Sequence, residues 1–160
     1  MYKRQDYIGK VCFDGNPIDT FDLTQWSVLR QTKISAVFQT LALFPDLTAL
    51  ENIMVKNDLT DHKTLDDIIS MLTDLGMAAF KDQKTGDLSL GQQQRVAIIR
   101  SLCQPFEWLL LDEPFSHLDE DNIQKSITLM QREIRDNQAG VILTTLGPDY
   151  GLTDYQVLNL

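Results

Sequence analysis

Leu88-Ser89-Leu90-Gly91-Gln92, with Trp108-Leu109-Leu110-Leu111-Asp112-Glu113-Pro114 further along, is the part of the chain from which the rest is best read. Ser89 stands where a helix N-cap is expected, and Gln92 three residues later completes a capping box. The helix that follows turns Val96, Ile99 and Cys103 to the core. Free amides and the positive end of the macrodipole make such a helix start suitable for an anion. Capping alone does not require Gly91, whereas a phosphate approaching the backbone closely would. The second segment is an apolar strand ending in two carboxylates. Neighbouring side chains on an extended strand alternate sides, so Asp112 and Glu113 can serve different tasks.

Working outward, Tyr7 to Phe13 reads as a strand closed by the turn Asp14-Gly15-Asn16-Pro17. Thr24 is expected to cap a short helix through Leu29, and Ile34 to Phe38 is a buried-looking strand ending at Gln39. A loop with Phe44-Pro45 leads to a helix over about Ala49–Val55. Leu65, Ile68, Ile69, Leu72 and Leu75 form one apolar stripe at helical spacing, with Thr64 and Asp67 as a capping box and Gly76 as the stop. A helix over about Asp119–Arg135 turns Ile123, Ile127, Met130 and Ile134 inward. Gly140 opens a strand over Val141–Thr145, and Tyr155–Leu160 reads as a last strand. The strands near residues 34, 108 and 141 are almost continuously apolar and alternate with helices, which predicts a parallel sheet covered on both faces. The helices between 49 and 104 arrive without an intervening strand and read as a separate helical lobe.

In this order and spacing, with Ser116-His117-Leu118-Asp119 just after, the two opening segments resemble the signature motif and Walker B strand of the ATP-binding cassette (ABC) family. The resemblance runs from about Tyr7 to Leu160. It implies an α/β fold: a P-loop NTPase-like parallel sheet, here incomplete, with an inserted α-helical subdomain at about 47–104, so that residues 6–160 form a partial cassette. It implies that Ser89, Leu90, Gly91 and Gln92 touch the γ-phosphate of ATP held by the opposite subunit, Leu90 standing where the family commonly has glycine. Asp112 would hold Mg²⁺ and Glu113 would be the general base or water-orienting group. Gln39, before Leu43-Phe44-Pro45-Asp46-Leu47-Thr48-Ala49-Leu50-Glu51-Asn52-Ile53, resembles the Q-loop glutamine that senses Mg²⁺ ahead of a segment meeting a transmembrane partner. Asp119 resembles the D-loop aspartate that crosses the dimer interface, and it also suits the N-cap of the next helix. The Phe44-Pro45 run looks most like cassettes of the lipoprotein-release, macrolide-export and cell-division type.

Two departures accompany the resemblance. None of the eight glycines stands in a Gly-x-x-x-x-Gly-Lys-Ser/Thr arrangement, so the phosphate cradle is absent from this stretch. In the family that loop lies upstream of the segment matching Tyr7 to Gly15, and truncation is the economical expectation; this chain alone is expected to bind ATP poorly or not at all. Met1-Tyr2-Lys3-Arg4-Gln5 fits a reverse translation GTG-TAT-AAG-AGA-CAG, the transposase end sequence of common sequencing libraries, and is expected to be an adapter-derived or disordered tail. The second departure is Thr144-Thr145, where the family usually has Thr-His: Thr145 occupies the switch-histidine position and a hydroxyl carries no positive charge.

With 43% hydrophobic and 23% charged residues the composition is that of a globular domain. The net charge of −9, with 14 Lys and Arg, argues against nucleic acid as a partner. No apolar run approaches the roughly 18 residues needed to span a bilayer. Cys12 and Cys103 read as small core hydrophobes, and His62 and His117 are poorly spaced for a metal. The resemblance implies an ATPase subunit binding ATP and Mg²⁺, cytoplasmic and held on the inner face of the plasma membrane through a permease, and dimerising with a second cassette. A degenerate non-hydrolytic cassette acting as a nucleotide-dependent dimerisation switch, and a soluble non-transport cassette protein, remain the alternatives.

Overall fold

The structure, a computed structural model, describes residues 9–146 and Tyr150. The expected tail at Met1–Gln5, the start of the strand expected from Tyr7, and the strand expected over Tyr155–Leu160 lie outside the described residues. The chain first makes a small hairpin, β1 (Cys12–Phe13) antiparallel to β2 (Asn16–Pro17). Asp14 and Gly15 turn it with φ of 49° and 77°, the paired positive angles a two-residue hairpin loop needs. Cys12 is exposed here, contrary to the core position expected from sequence. Side chains alternate along a strand, and it is Phe13 that is partly covered.

Helix α1 (Leu23–Thr32) starts two residues earlier than expected, because Asp22 rather than Thr24 is its N-cap. The Asp22 carboxylate accepts from the Gln25 amide at 2.7 Å, and the Gln25 side chain accepts from the Asp22 amide at 2.9 Å. Strand β3 (Ile34–Val37) follows directly. Helices α2 (Ala49–Asn57), α3 (Leu65–Asp74) and α4 (Leu90–Leu102) come next, then β4 (Trp108–Asp112), α5 (Glu120–Asn137) and β5 (Gly140–Thr144). Thr48, Thr64 and Ser89 each close a capping box with the residue three positions on. At the end of α3 the Gly76 amide donates to Thr73 and the Met77 amide to Leu72, with Gly76 at φ 64°, which is a Schellman stop.

Strands β3, β4 and β5 form a parallel sheet in that order, with Val37 opposite Leu111 and Asp112 opposite Thr144. The sheet is not evenly covered on both faces as expected. Ser35, Val37, Leu109 and Leu111 are buried on one side, while Val141 and Ile142 of β5 are exposed among the described residues. Strands β3 and β4 therefore alternate in burial despite their continuous apolar sequence, and β5 has no buried residue. Helix α4 is the centre of the molecule: Gln94, Val96, Ala97, Ile98, Ile99, Ser101 and Leu102 are all buried, a helix covered on nearly every side. Ile68, Leu72 and Leu75 of the expected stripe are buried along with Met71, but Leu65 sits exposed in the first turn of α3. Ile123, Ile127 and Met130 of α5 join the same core, with Ile134 partly buried against it. One apolar cluster thus runs from α2 and α3 through α4 to β4 and α5, so packing does not break between the helical stretch and the sheet.

Candidate functional site

Parallel strands point their carboxyl ends the same way, and ligands of open α/β sheets bind beyond those ends. Asp112 closes β4, Thr144 closes β5, and Gln39 stands in the turn two residues beyond Val37, the last residue of β3. The register therefore gathers Gln39, Asp112, Glu113 and Thr145 along one edge of the sheet. Asp112 is exposed, and its Oδ1 accepts the Thr144 hydroxyl at 2.7 Å. Gln39 is exposed and Thr145 is partly buried.

Glu113 is not the next residue of an extended strand. Its φ is 48°, so the chain turns left-handed there and the two acids do not simply occupy opposite strand faces. A left-handed non-glycine residue is sparsely populated, of order 1 kcal/mol or more above the favoured regions, and needs surrounding bonds to hold it. Five are present. The Glu113 amide donates to the Thr144 carbonyl at 3.0 Å, and its own carbonyl accepts the Ser116 amide at 3.4 Å, the Ser116 hydroxyl at 3.2 Å and the Gln94 side chain at 3.1 Å. Its carboxylate Oε1 accepts the Leu146 amide at 2.6 Å. The carboxylate is thereby held at the Leu146 amide, one residue past Thr145 in sequence.

At the start of α4, Ser89 and Leu90 are exposed and Gly91 and Gln92 partly buried. Ser89 Oγ accepts the Gln92 amide at 3.3 Å, and the Gln92 side chain accepts the Ser89 amide at 2.8 Å. The amides of Leu90 and Gly91 are the first two of the helix and have no acceptor within it. Gly91 also has a reason that sequence reading did not supply. A Cβ there would lie 2.7 Å from the His117 carbonyl oxygen, so the glycine is demanded by packing within the chain before any phosphate is considered. Asp119 is the N-cap of α5, its Oδ1 accepting the Asn122 amide at 2.9 Å. That bond, with lesser help from the charge of Arg95, holds the Asp119 carboxyl below its ordinary range.

Two residues that matter to this arrangement were not singled out in the sequence. Gln94 is 1% exposed and bridges Glu113 and His117. Arg100 donates to the carbonyls of Leu41 and Ala42 at 2.7 and 2.8 Å, just past Gln39, where both residues have positive φ. The available signal was position alone: Gln94 stands one helical turn before Ala97 and Ile98, and Arg100 directly follows the apolar run Val96–Ile99.

A sequence profile described as ABC transporter matches residues 1–116. The chain belongs to the ABC transporter family. The lipoprotein-releasing system ATP-binding protein LolD of Aquifex aeolicus is 33% identical over 140 residues, covering 86% of this chain and 62% of LolD. The macrolide export ATP-binding/permease protein MacB of Syntrophobacter fumaroxidans is 35% identical over 147 residues, 88% of this chain and 20% of MacB. The chain thus spans less than two thirds of these ABC relatives. A dimeric bacterial ABC transporter cassette, MJ0796, superposes with a TM-score of 0.73 at 30% identity, over 85% of this chain and 62% of that one. The α/β cassette fold expected from the motifs is the fold observed. No helix among the described residues is long and apolar enough to cross a membrane.

Proposed function

We propose that this chain is part of the nucleotide-binding ATPase subunit of an ABC transporter, coupling ATP binding and hydrolysis to a membrane permease. The observation that carries the reading is the alignment of Gln39, Asp112, Glu113 and Thr145 along one sheet edge in a chain of this family. Glu113 is the group that orients or deprotonates the attacking water. Asp112 suits Mg²⁺, a hard cation that keeps several waters and takes only one or two protein oxygens. Its carboxylate is exposed and accepts the Thr144 hydroxyl, and Gln39 at the same edge would supply a second oxygen. Bound there, Mg²⁺ would neutralise phosphate charge.

Ser89, Leu90, Gly91 and Gln92 would serve ATP on a second cassette, with Asp119 at the contact between the two. The solved dimer of a similar cassette supports that pairing. The segment Leu43–Ile53 after Gln39 would meet the permease, placing the protein on the cytoplasmic side of the membrane. Residues 1–160 contain no P-loop lysine arrangement. We therefore expect this stretch by itself to show no more than weak ATP binding by calorimetry.

The decisive measurement is Mg²⁺-dependent ATP turnover of the native protein with Glu113→Gln as control. Loss of a positioned general base lowers turnover by about 10²–10⁴-fold, and chelation should abolish it. Thr145 at the switch-histidine position favours a second reading, a non-hydrolytic cassette that dimerises on nucleotide. Nucleotide-dependent dimerisation without turnover would establish that reading instead.

A further inference from the structure

The connection between α2 and α3 is wound around a single side chain. Asn57, the buried last residue of α2, accepts the Thr60 and Asp61 amides on its carbonyl at 3.0 and 2.7 Å. Its side chain accepts the Lys63 amide and donates to the Lys63 carbonyl, each at 2.9 Å. Asp61 takes a left-handed φ of 50° to close the loop. The loop is then tied outward to α5, where Lys63 Nζ donates to the buried Glu133 Oε2 at 2.7 Å. Arg132 shares that carboxylate at 3.3 Å and reaches Asp74 of α3 at 3.0 Å.

His62 stands between the two tethered residues Asp61 and Lys63. Its Nε2 is buried without a hydrogen-bond partner, and the Thr60 hydroxyl of the same loop is buried unpaired as well. A neutral imidazole tolerates this, because its one N–H can sit on Nδ1 and leave Nε2 bare. A protonated ring does not, since it puts an N–H and a positive charge at the buried nitrogen. The charged groups of this neighbourhood give no relief. Lys63 is itself a cation, and Glu133 of α5 is already shared by Lys63 and Arg132. Asp67 of α3 is engaged by the amide and hydroxyl of Thr64, Asp58 and Asp61 on the loop are exposed, and the buried Cys103 thiol is neutral. Burial first, then the charge of Lys63, holds the His62 pKa below the ordinary histidine value, with Glu133 opposing.

We propose that His62 is the trigger of an acid-opened latch: its protonation expels the ring, opens the loop over residues 58–63 and frees Lys63 from Glu133, so that the α2–α3 connection lets go of α5. The open loop binds a proton that the closed loop rejects. Its population therefore rises as pH falls below the ordinary histidine value near 6.5, and the latch is shut above it. One titrating group supplies at most about a tenfold rise between pH 7.5 and 5.5. Carboxylates do not compete in that window, because they ordinarily titrate near 4. The opening is local and leaves the core around α4 folded. It holds whether or not the chain hydrolyses ATP.

Nuclear magnetic resonance of the native protein reads both the trigger and the latch. The His62 ring should titrate with a midpoint below 6.5. Corrected for intrinsic rates, the Thr60, Asp61 and Lys63 amides should exchange three- to tenfold faster at pH 5.5 than at pH 7.5. The Ile98 amide in the centre of α4 should exchange far more slowly than the loop at both values. His62→Gln, and His62→Leu where the first folds poorly, removes the titrating ring and should abolish the pH effect. Glu133→Gln removes the charge that holds Lys63 and should speed exchange of the three loop amides at least threefold already at pH 7.5. A His62 midpoint at or above 6.5, loop exchange equal at the two pH values, or a pH effect that survives in the His62 variants would each overturn the proposal. So would loop amides that exchange no faster than Ile98, or loop exchange unchanged in Glu133→Gln, which would show that Lys63 does not hold the loop.

Discussion

Gly91 and Glu113 are the two positions where a single residue carries most of the local argument. Replacing Gly91 by alanine sets two effects against each other. Alanine is better than glycine in a helix by about 1 kcal/mol, whereas forcing a methyl against a backbone carbonyl costs about 1–3 kcal/mol. The neighbour is the backbone of His117, which Gln94 also holds, so it cannot swing away as a side chain would. Gly91→Ala should therefore destabilise on balance, seen as a lower denaturant midpoint at unchanged slope; a raised midpoint would show that the loop yields. Thr145 permits a second test. It stands one residue past β5 at the sheet edge shared with Asp112. A hydroxyl offers no positive charge there, so Thr145→His in the native protein should raise ATP turnover, and unchanged or lower turnover would count against its assigned place.

At the scale of elements, side chains at the helix starts set boundaries and also set a pH response. Glu51, Asp67 and Asp119 all hold carboxylates that accept hydrogen bonds at helix N-termini. The Asp67 carboxyl is drawn down chiefly by the Thr64 hydroxyl, Glu51 chiefly by the Thr48 amide, and Asp119 chiefly by the Asn122 amide. Groups with folded values below their unfolded ones contribute stability that is present above the unfolded values, around 4, and is lost as pH falls through the folded ones. His62 behaves in the same direction over a higher range. Burial lowers its pKa, so its contribution fades as pH drops below about 6.5. Unfolding midpoints should thus fall on acidification and fall further below about pH 4. Asp67→Asn should flatten the acid limb relative to the parent protein. Arg100 acts between elements. Its guanidinium reaches from α4 to the carbonyls of Leu41 and Ala42 and holds two consecutive left-handed residues after Gln39. Arg100→Ala should raise hydrogen exchange across residues 40–44 and leave α3 protected; uniform exchange would mean that the turn holds itself.

At the scale of the whole molecule, one apolar core among the described residues joins the helical stretch to the sheet and makes them interdependent. Leu72 on α3 and Ile98 on α4 are both wholly buried in that cluster. Truncating either to alanine should cost about 2–5 kcal/mol and should lower one common unfolding transition, measured by both near-ultraviolet and far-ultraviolet circular dichroism. Two separate transitions would show that the helical stretch folds on its own. The cysteines report the same organisation chemically. Cys103 is buried, which pushes its thiol up to about 12, whereas Cys12 is exposed on the hairpin. A thiol reagent at neutral pH should label Cys12 alone in the folded protein and both cysteines in denaturant, because the thiolate is the reactive form.

Much of this was legible along the chain because it is local physics. Capping boxes at Thr64 and Ser89, the stop at Gly76 and the strand leading to Asp112 depend on residues within one or two turns of each other. Cassette membership was legible for the same reason, since the order of short motifs is itself one-dimensional. What the chain could not disclose are contacts between residues far apart in sequence. The left-handed turn at Glu113 depends on Thr144 and Gln94, the glycine at 91 on His117, and the turn after Gln39 on Arg100. The exposure of Cys12, Leu65 and Ile142 likewise depends on which elements cover them. Side-chain type and spacing thus determined the elements and the family, while the conformation of the acid and the close approach of His117 to Gly91 were decided only when the sheet and α4 packed together.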